Sequence, residues 1–469
     1  ALRLRWHREK IHLNHAWSAT PDARKSVRSM EDWLMATGKG RRVAVIDGRR
    51  TPFLRSGTGY YDLMAWELGR FAVKGLVAAT GIDHSSIDQV IMGTVASDIA
   101  TTNVAREITL GAGLPETVPA YTVTVACVSA NAAITAGADM IATGNADVVI
   151  AGGTESFSDP DIKVSKRYRR FILDLTMYKR PKTLGGKMRL LKGMKALDFV
   201  VPERPAIGEY STGLSMGHNA DRLAQRLGIS REDQDHYAEY SHRQASAAIA
   251  SGVLKSEIVP VVVQGTDRAI TTDNGPRPDA TFESLSRLRP SFYKKYGTVT
   301  AGNSSFLTDG AAAVLLMSEE KARELGLKPK AYLRSYVFSA QNVWDELLLG
   351  PAFSIAKLLK KTGLELSEIG VLEIHEAFAA QMEANIRCLE SDAFGREKAG
   401  FPARVGMVDR ARLNIYGGSL SLGHPFGATG ARLLTTCCNR LRDTGERYGI
   451  IAGCAAGAVG SAILVENAD

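Results

Sequence analysis

Reactive side chains stand at two places where this chain changes direction. In the first, residues 122–131, a β-branched run leads into small residues with Cys127 at the joint. In the second, residues 417–430, five glycines surround His424, and Cys454 follows among further small residues. A thiol at a strand-to-helix joint, a glycine-framed imidazole and a second thiol together indicate carbon–carbon chemistry on a thioester through a covalent cysteine intermediate.

Cys127 is interpreted as the nucleophile. A thiol near a helix N-terminus faces unpaired backbone N–H groups and the positive end of the helix dipole, which favour the thiolate. A buried structural cysteine is the competing interpretation, because most single cysteines are of that kind. His424 favours the nucleophile, since an imidazole can accept the Cys127 proton and then polarise an oxygen.

Two further residues complete the candidate site. His375 ends the apolar run 369–374, and its imidazole is suited to donate a hydrogen bond to a developing oxyanion. The alternative is a core histidine whose hydrogen bonds are all satisfied. Cys454 is suited to protonate a carbanion, and the neighbouring amides, especially that of Ala456, are suited to form an oxyanion hole.

Short apolar runs alternate with helical patterns along the chain. Strands are predicted at residues 42–47, 87–93, 147–151, 331–339, 369–374 and 449–453, and helices at 63–79, 128–143, 221–252, 353–362 and 423–441. The runs before residue 155 and after residue 330 follow a similar order, which indicates one strand–helix unit used twice. Such alternation predicts an α/β fold with a largely parallel sheet covered on both faces.

This order predicts four parts of the chain. They are a basic arm or targeting segment (1–40), an N-terminal half (41–155, continued by 297–320), an inserted segment (156–296) and a C-terminal half (321–469). The insertion is more polar and more helical than its surroundings. Because it is too long for a bare loop, it is predicted to form a small domain over the site.

The net charge of +8 is concentrated in one stretch. Residues 163–195 hold twelve Lys/Arg and a single acid, Asp174, so the rest of the chain is slightly acidic. This distribution argues against a general nucleic-acid partner. Within the stretch, residues 164–178 interleave cations with apolar side chains, a pattern that suits an anionic membrane surface or a partner subunit. A solvated helical face is the alternative.

The first thirty residues carry seven Lys/Arg and only Glu9 and Asp22 as acids. This composition is typical of a mitochondrial transit segment, with a disordered basic arm and a faint peroxisomal pattern as alternatives. The five cysteines have no spacing that indicates disulfides or a zinc site, so no metal is predicted and a reducing compartment fits best.

From about residue 41 to its end, the chain resembles the thiolase family. The match is carried by the Cys127 elbow, by the segment 302–312 (Gly-Asn-Ser-Ser to Asp-Gly-Ala-Ala), by His375-Glu-Ala-Phe, by the His424 segment and by Cys454 with its small neighbours. Most thiolases carry asparagine at the position of His375. The histidine form is similar to the β-subunits of the fatty-acid trifunctional enzyme.

The resemblance implies a thiolase fold: two duplicated βαβαβαββ halves in five layers, α-β-α-β-α, with an inserted helical loop domain. It also implies 3-ketoacyl-CoA cleavage with CoA in fatty-acid β-oxidation, with Cys127 as nucleophile, His424 as its base and Cys454 as acid and base. His375 and His424 would stabilise an enolate oxygen, and the amides of Cys127 and Ala456 the tetrahedral intermediates.

For ligands and partners, the resemblance implies no permanently bound cofactor, CoA and acyl-CoA as substrates, and Ser305 on the pantetheine arm. Basic residues of the insertion would meet the CoA phosphates. A homodimer, an α-subunit with hydratase and dehydrogenase activity, peripheral membrane contact through 163–195 and a mitochondrial location are implied as well, with a peroxisome-like organelle as the alternative.

Three other functions are alternatives to this one. A ketoacyl synthase would lack the second catalytic thiol, Cys454. An acetoacetyl-CoA thiolase stays open, because these motifs do not encode chain length or reaction direction. A non-catalytic acyl-CoA-binding or membrane-binding scaffold is disfavoured, since all four reactive residues are intact.

Overall fold

The computed structural model describes residues 40–161, 164–195, 198–199, 208–265 and 268–469. The predicted arm, apart from residue 40, lies outside the described residues. The strands are β1 (Val43–Arg50), β2 (Leu54–Arg55), β3 (Gln89–Gly93), β4 (Ala120–Val123), β5 (Val148–Glu155), β6 (Val261–Val262), β7 (Ala269–Ile270), β8 (Thr308–Ser318), β9 (Ala331–Ala340), β10 (Ile369–Ile374), β11 (Tyr448–Ala455) and β12 (Val459–Asn467).

The α-helices are α1 (Ala65–Thr80), α2 (Val104–Gly111), α3 (Ser129–Ala142), α4 (Lys166–Leu173), α5 (Leu184–Leu190), α6 (Met216–Leu227), α7 (Arg231–Ser251), α8 (Phe282–Ser286), α9 (Glu319–Glu324), α10 (Gly350–Thr362), α11 (Ala379–Glu390), α12 (Asp392–Phe394) and α13 (Thr429–Thr444). Two π-helical turns, Asp174–Tyr178 and Gly395–Ala399, continue α4 and α12. Single 3₁₀ turns span His84–Ser86, Val253–Ser256, Leu366–Glu368 and Arg410–Arg412.

One mixed sheet runs in the order β10-β11-β12-β9-β1-β8-β5-β3-β4, with β2 paired to β8. In the first half, β3 is parallel to β4 and β5, and β8 is antiparallel to β5 and β1. In the second, β10 is parallel to β11, and β12 is antiparallel to β11 and β9. A parallel bridge from Leu372 to Leu413 takes the place that β4 has in the first half. The same topology therefore occurs twice, joined where β1 pairs with β9.

Alternate residues of the strands point into different cores, which creates the layers. On β8, Leu315 packs with α1 and α2, whereas Leu316 packs with α3 and α13. On β12, Leu464 packs with α10 and α11, and Ile463 with α3 and α13. The order of layers is therefore α-β-α-β-α with α3 and α13 in the centre, as the resemblance implies.

The two central helices pack closely. A Cβ on Gly430 of α13 would lie 2.0 Å from the Asn131 Oδ1 atom of α3, so only glycine fits at this contact. Cys127 lies two residues before the start of α3, and His424 lies five residues before the start of α13. The duplicated fold thus places the two predicted reactive residues at equivalent positions, next to one another.

Two predicted helices differ from the structure. The helix predicted at 423–441 begins at Thr429, because Gly423 has a φ of +108° and the following residues form turns. The helix predicted at 221–252 is two helices, α6 and α7, since Gly228 ends α6 in the left-handed conformation with φ 64°. The remaining predicted strands and helices are present, with ends shifted by a few residues.

The inserted segment is attached to the rest of the chain by buried charges. Arg50 of β1 donates two hydrogen bonds to Asp273, at 2.7 and 2.9 Å, and one to Glu257 at 3.4 Å. Glu257 also accepts hydrogen bonds from Thr436 and Asn439 of α13. In the described part of the chain, no helix is both long and apolar enough to span a bilayer.

Candidate active site

Cys127 occupies a strained turn between β4 and α3. The preceding residue, Ala126, has a φ of +44°, a conformation that non-glycine residues rarely adopt. Ser129 fixes the turn, because its hydroxyl accepts a hydrogen bond from the Val125 amide at 2.8 Å and donates one to the Ala126 carbonyl at 2.7 Å. The strain directs the thiol into a cavity between the two halves of the chain.

The surroundings of Cys127 favour the neutral thiol. Removal from water, and secondly the negative charge of Glu155, raise its pKa to about 12, although the amides of Ala456 and Cys127 itself hydrogen-bond the sulfur. The position of Cys127 near a helix N-terminus predicted a lowered pKa. In this structure desolvation outweighs that effect, so formation of the thiolate requires transfer of the proton to a base.

His424 is held in one tautomer by Thr429. The Thr429 hydroxyl lies 3.0 Å from the Pro425 carbonyl and 2.6 Å from Nδ1 of His424. Because a hydroxyl has one proton and that proton is engaged by the carbonyl, we assign Nδ1–H of His424 as the donor to Thr429. Nε2 of His424 therefore carries a lone pair that accepts no hydrogen bond from the protein. Burial, and then the proximity of His375 and Arg432, lower the pKa of His424 well below its usual value. The imidazole is a neutral base.

His375 lies beside His424 at the end of β10. The two ring centroids are 3.9 Å apart, and the His375 Nδ1 is 2.9 Å from the Ser419 hydroxyl. Burial, and then Arg432, lower the pKa of His375 to about 3. Its Nε2 is buried without a hydrogen-bond partner, which argues against a core histidine with all its hydrogen bonds satisfied.

The structure brings three of the predicted residues into one cluster. The Cys127 Sγ and one ring nitrogen each of His375 and His424 all lie within 4.8 Å of one another. Cys454, near the end of β11, lines the same cavity and is close enough to Cys127 for that thiol to influence its ionisation. Burial, and then Cys127, raise the pKa of Cys454, so it too is a thiol at rest.

The cavity is a largely apolar space of about 210 Å³. Ser305, the residue expected to contact a pantetheine arm, lies on its wall. The lining also includes the aromatic and aliphatic side chains of Met216, Phe292, Phe306, Leu307, Leu348, Phe378 and Phe426. Such a surface suits an alkyl chain and a pantetheine arm better than a polar metabolite.

Glu155, which the sequence analysis did not single out, joins the loops around the site. Its buried carboxylate accepts hydrogen bonds from the Ala96 amide at 2.9 Å and from the Gly427 amide at 2.9 Å, as well as from Thr94 and Val95. It thereby ties the end of β5 and the loop after β3 to the loop that carries His424. Burial raises its pKa to about 7.

Glu376 and Asn414 hold the other histidine in place. The Glu376 carboxylate accepts hydrogen bonds from Tyr237, Ser241 and the Asn414 side chain. Asn414 also bonds the amide and carbonyl of Ile374, the residue before His375, at 2.8 Å each. These supporting residues are far apart in sequence, and no pattern along the chain points to them. Ser419 and Thr429, which contact the two histidines, lie within the glycine-rich segment that the sequence analysis identified.

The comparisons with known proteins agree with this architecture. Family models described as the N-terminal and C-terminal domains of thiolase match residues 43–320 and 327–467. The chain is 49% identical to the mitochondrial trifunctional enzyme subunit beta of Bos taurus, over 91% of this chain and 88% of the relative. It is 45% identical to the 3-ketoacyl-CoA thiolase of Pectobacterium atrosepticum, over 92% of this chain and 98% of the relative.

A solved structure shows the same fold. Human mitochondrial 3-ketoacyl-CoA thiolase in complex with CoA superposes with a TM-score of 0.78 at 30% identity, covering 92% of this chain and 99% of the human chain. Both family models, the curated relatives and the solved structure agree over nearly the whole described part of the molecule. The chain therefore belongs to the thiolase family.

Proposed function

We propose that this protein is a 3-ketoacyl-CoA thiolase, an acetyl-CoA acyltransferase that cleaves 3-ketoacyl-CoA with CoA to acetyl-CoA and a shortened acyl-CoA in fatty-acid β-oxidation. The observation that carries the proposal is the cluster of Cys127, His375 and His424 within 4.8 Å, beside Cys454 in an apolar cavity. The printed names of the relatives, trifunctional enzyme subunit beta and 3-ketoacyl-CoA thiolase, support it.

In the first step, the Cys127 sulfur attacks the 3-keto carbon and its proton passes to Nε2 of His424. The lone pair that Thr429 leaves free on that nitrogen supports this role. The oxyanion forms near the amides of Cys127 and Ala456, both of which point at the Cys127 sulfur. Because the Cys127 thiol and the His424 imidazole are both neutral before the reaction, the apolar site holds no charge on them until substrate arrives.

In the second step, the bond between carbons 2 and 3 breaks and its electron pair moves to carbon 2. The enolate oxygen accepts hydrogen bonds from His375 and the protonated His424. Cys454 then gives its proton to carbon 2, which releases acetyl-CoA and leaves the acyl group on Cys127 as a thioester. The raised pKa of Cys454 suits this role, because a neutral thiol is ready to donate.

In the third step, Cys454 takes the proton of an incoming CoA thiol, and the CoA sulfur attacks the thioester carbon. Cys127 leaves as a thiolate and recovers its proton from His424, which restores the resting site. No permanently bound cofactor takes part, and CoA and acyl-CoA are substrates. Ser305 contacts the pantetheine arm, and basic residues of 164–195 meet the CoA phosphates.

An acetoacetyl-CoA thiolase is the second candidate, supported by a neighbour titled acetyl-CoA acetyltransferase from Bacillus anthracis at 31% identity and a TM-score of 0.77. The phenylalanine-rich wall of the cavity favours the longer acyl chains of the first candidate. A non-catalytic scaffold is disfavoured, because it would have no use for two buried, unpartnered Nε2 atoms facing a thiol.

The location of the protein, its partners and the division of the chain are part of the same proposal. The name of the Bos taurus relative, a mitochondrial subunit beta, supports a mitochondrial location and a partner α-subunit. The hydratase and dehydrogenase activities of that subunit follow from the family resemblance alone. A homodimer is supported by β4, which is the last strand of the sheet among the described residues and lies next to the Cys127 turn. Peripheral membrane contact is supported by α4, where Lys166, Arg167, Arg169 and Arg170 accompany Ile172. The chain divides as 41–155 with 297–320, 156–296 and 321–469, after an arm at 1–40.

The test is CoA-dependent cleavage of 3-ketoacyl-CoAs with acyl chains from four to sixteen carbons, for the wild type and Cys127→Ala. Cleavage of long chains that disappears in the variant would establish the proposed function. Activity confined to the four-carbon substrate would favour the acetoacetyl-CoA thiolase. If neither the chain nor its complex with an α-subunit cleaves any substrate, the proposal is wrong.

A further inference from the structure

We propose that Cys127, His375 and His424 form a binding site for a zinc ion, and that zinc bound there reversibly blocks the enzyme. The three residues are remote in sequence, and for that reason no zinc-ligand spacing is visible along the chain. A thiolate and two imidazoles are a donor set that Zn²⁺ prefers. The inference rests on the proposed function only for the effect on activity, because metal binding can be measured without substrate.

The three ligand atoms are already close to the separations that a metal ion requires. One sulfur and two nitrogens already lie within 4.8 Å of one another. Tetrahedral zinc, with bonds of about 2.0–2.3 Å, separates such ligand atoms by about 3.3–3.6 Å. Closure therefore requires side-chain shifts of about 1 Å. The fourth position faces the cavity and can hold a water molecule.

The hydrogen bonding of the two imidazoles also suits a metal ion. Metal-bound histidines usually donate the other ring N–H to an oxygen, which fixes the tautomer and aims the free nitrogen at the metal. His424 has this arrangement with Thr429 at 2.6 Å. The Ser419 hydroxyl, 2.9 Å from Nδ1 of His375, can accept from Nδ1–H when Nε2 binds a metal and donate to Nδ1 when Nε2–H faces an enolate oxygen. Both Nε2 atoms are buried and lack any protein partner.

His375 supplies one of the two nitrogen ligands. An asparagine side chain offers zinc a weak amide oxygen in place of an imidazole nitrogen. Tight zinc binding is therefore a consequence of the histidine, and His375→Asn is the matched variant that removes it.

The experiment measures binding before activity. The purified chain, stripped of metal with a chelator, is titrated with Zn²⁺ against a chromophoric indicator, without CoA or substrate. We expect one ion per chain, protection of Cys127 from alkylation, and inhibition of thiolysis that the chelator reverses. With Co²⁺ as the probe, a near-ultraviolet sulfur-to-metal charge-transfer band should appear and should be absent in Cys127→Ala.

Two variants decide the location of the ion. His375→Asn should weaken zinc binding by at least about 10–100-fold, the range seen even for loss of an outer-shell partner. His236→Gln is the control, because this exposed histidine lies 3.9 Å from Glu232 and 3.6 Å from Glu239 and could bind zinc at the surface. It should leave affinity and inhibition unchanged.

Several results would overturn the inference. They are wild-type zinc affinity in His375→Asn, loss of affinity in His236→Gln, or a cobalt band that persists in Cys127→Ala. Absence of zinc binding in an enzyme that cleaves 3-ketoacyl-CoA would reject the metal site alone. Zinc binding that follows the expected pattern in a chain without thiolase activity would reject the proposed function alone.

Discussion

The residues of the site are neutral at rest and poised for proton transfer. Burial raises the pKa values of Cys127 and Cys454 and lowers those of His375 and His424. A thiolate–imidazolium pair is thereby disfavoured until a substrate oxygen is present to receive hydrogen bonds. The free lone pair on Nε2 of His424 depends on a single hydroxyl, that of Thr429.

Thr429→Val should lower kcat by about 100-fold while KM changes little, because the isosteric side chain cannot accept a hydrogen bond from Nδ1–H of His424 and the imidazole loses its fixed tautomer. The measurement is steady-state thiolysis of a long-chain 3-ketoacyl-CoA. Thr435→Val is the matched control: it lies on the same helix, and its hydroxyl likewise donates to the carbonyl four residues earlier, at 2.8 Å. Equal kcat values for the two variants would contradict the role of Thr429.

At the scale of elements, the site depends on loops from different strands and helices. Glu155 at the end of β5 binds the amide of Gly427. A Cβ at Gly427 would come within 2.6 Å of the Gly93 carbonyl, so the loop that carries His424 lies directly on the ends of β3 and β5. Helix α7 of the inserted segment contributes Tyr237 and Ser241 to the support of Glu376.

Helix α7 also carries His242, which gives a pH dependence to stability. Burial, and then Arg277 and Arg55, lower its pKa from 6.5 to about 4, with Asp279 opposing them. Its Nδ1 accepts a hydrogen bond from the Arg277 amide at 3.2 Å. Because the folded pKa lies below the unfolded one, this contribution is present above pH 6.5 and is lost as the pH falls toward 4.

We therefore expect the free energy of unfolding to decrease between pH 6.5 and 4 more steeply in the wild type than in His242→Gln. The difference should reach on the order of 3 kcal/mol, since each unit of pKa shift corresponds to about 1.4 kcal/mol. Denaturant unfolding at several pH values measures it. Parallel pH profiles for the two proteins would show that His242 is not the titrating group.

At the scale of the whole molecule, a buried ion network links the two halves and the insertion. Arg50 of β1 binds Asp273 and Glu257, and Glu257 is bonded to Thr436 and Asn439 of the C-terminal half. The Arg50 side chain is fully buried. Its removal leaves two buried carboxylates without a compensating charge, which is more costly than loss of a surface pair.

Arg50→Met should destabilise the protein by about 3–5 kcal/mol. Arg396→Ala, which removes an exposed ion pair with Asp392 at 3.8 Å, should lower the free energy of unfolding by less than about 1 kcal/mol. Chemical denaturation of both variants tests this, with thiolase activity below the unfolding transition as the check on folding. Similar small losses for both would show that the network contributes little to stability.

Local patterns in the sequence determined much of this protein. Short apolar runs predicted the buried strands β1, β3, β5, β10 and β11, because a strand covered on both faces has no polar alternation. The Cys127 turn, the His424 segment, His375 and Cys454 were identified as reactive because each combines a reactive side chain with a conformation that small residues permit. The repeated order of strands and helices predicted the duplication.

Tertiary structure alone decided how these residues work. Desolvation and Glu155 raise the pKa of Cys127, and neither effect follows from its position near a helix N-terminus. The fixed tautomer of His424 depends on which hydroxyl lies at 2.6 Å, and the close approach of the two imidazoles depends on the packing of the His424 loop against the end of β10. Burial and hydrogen bonding between remote residues are properties of the packed molecule, because neighbours in space are not encoded by spacing along the chain.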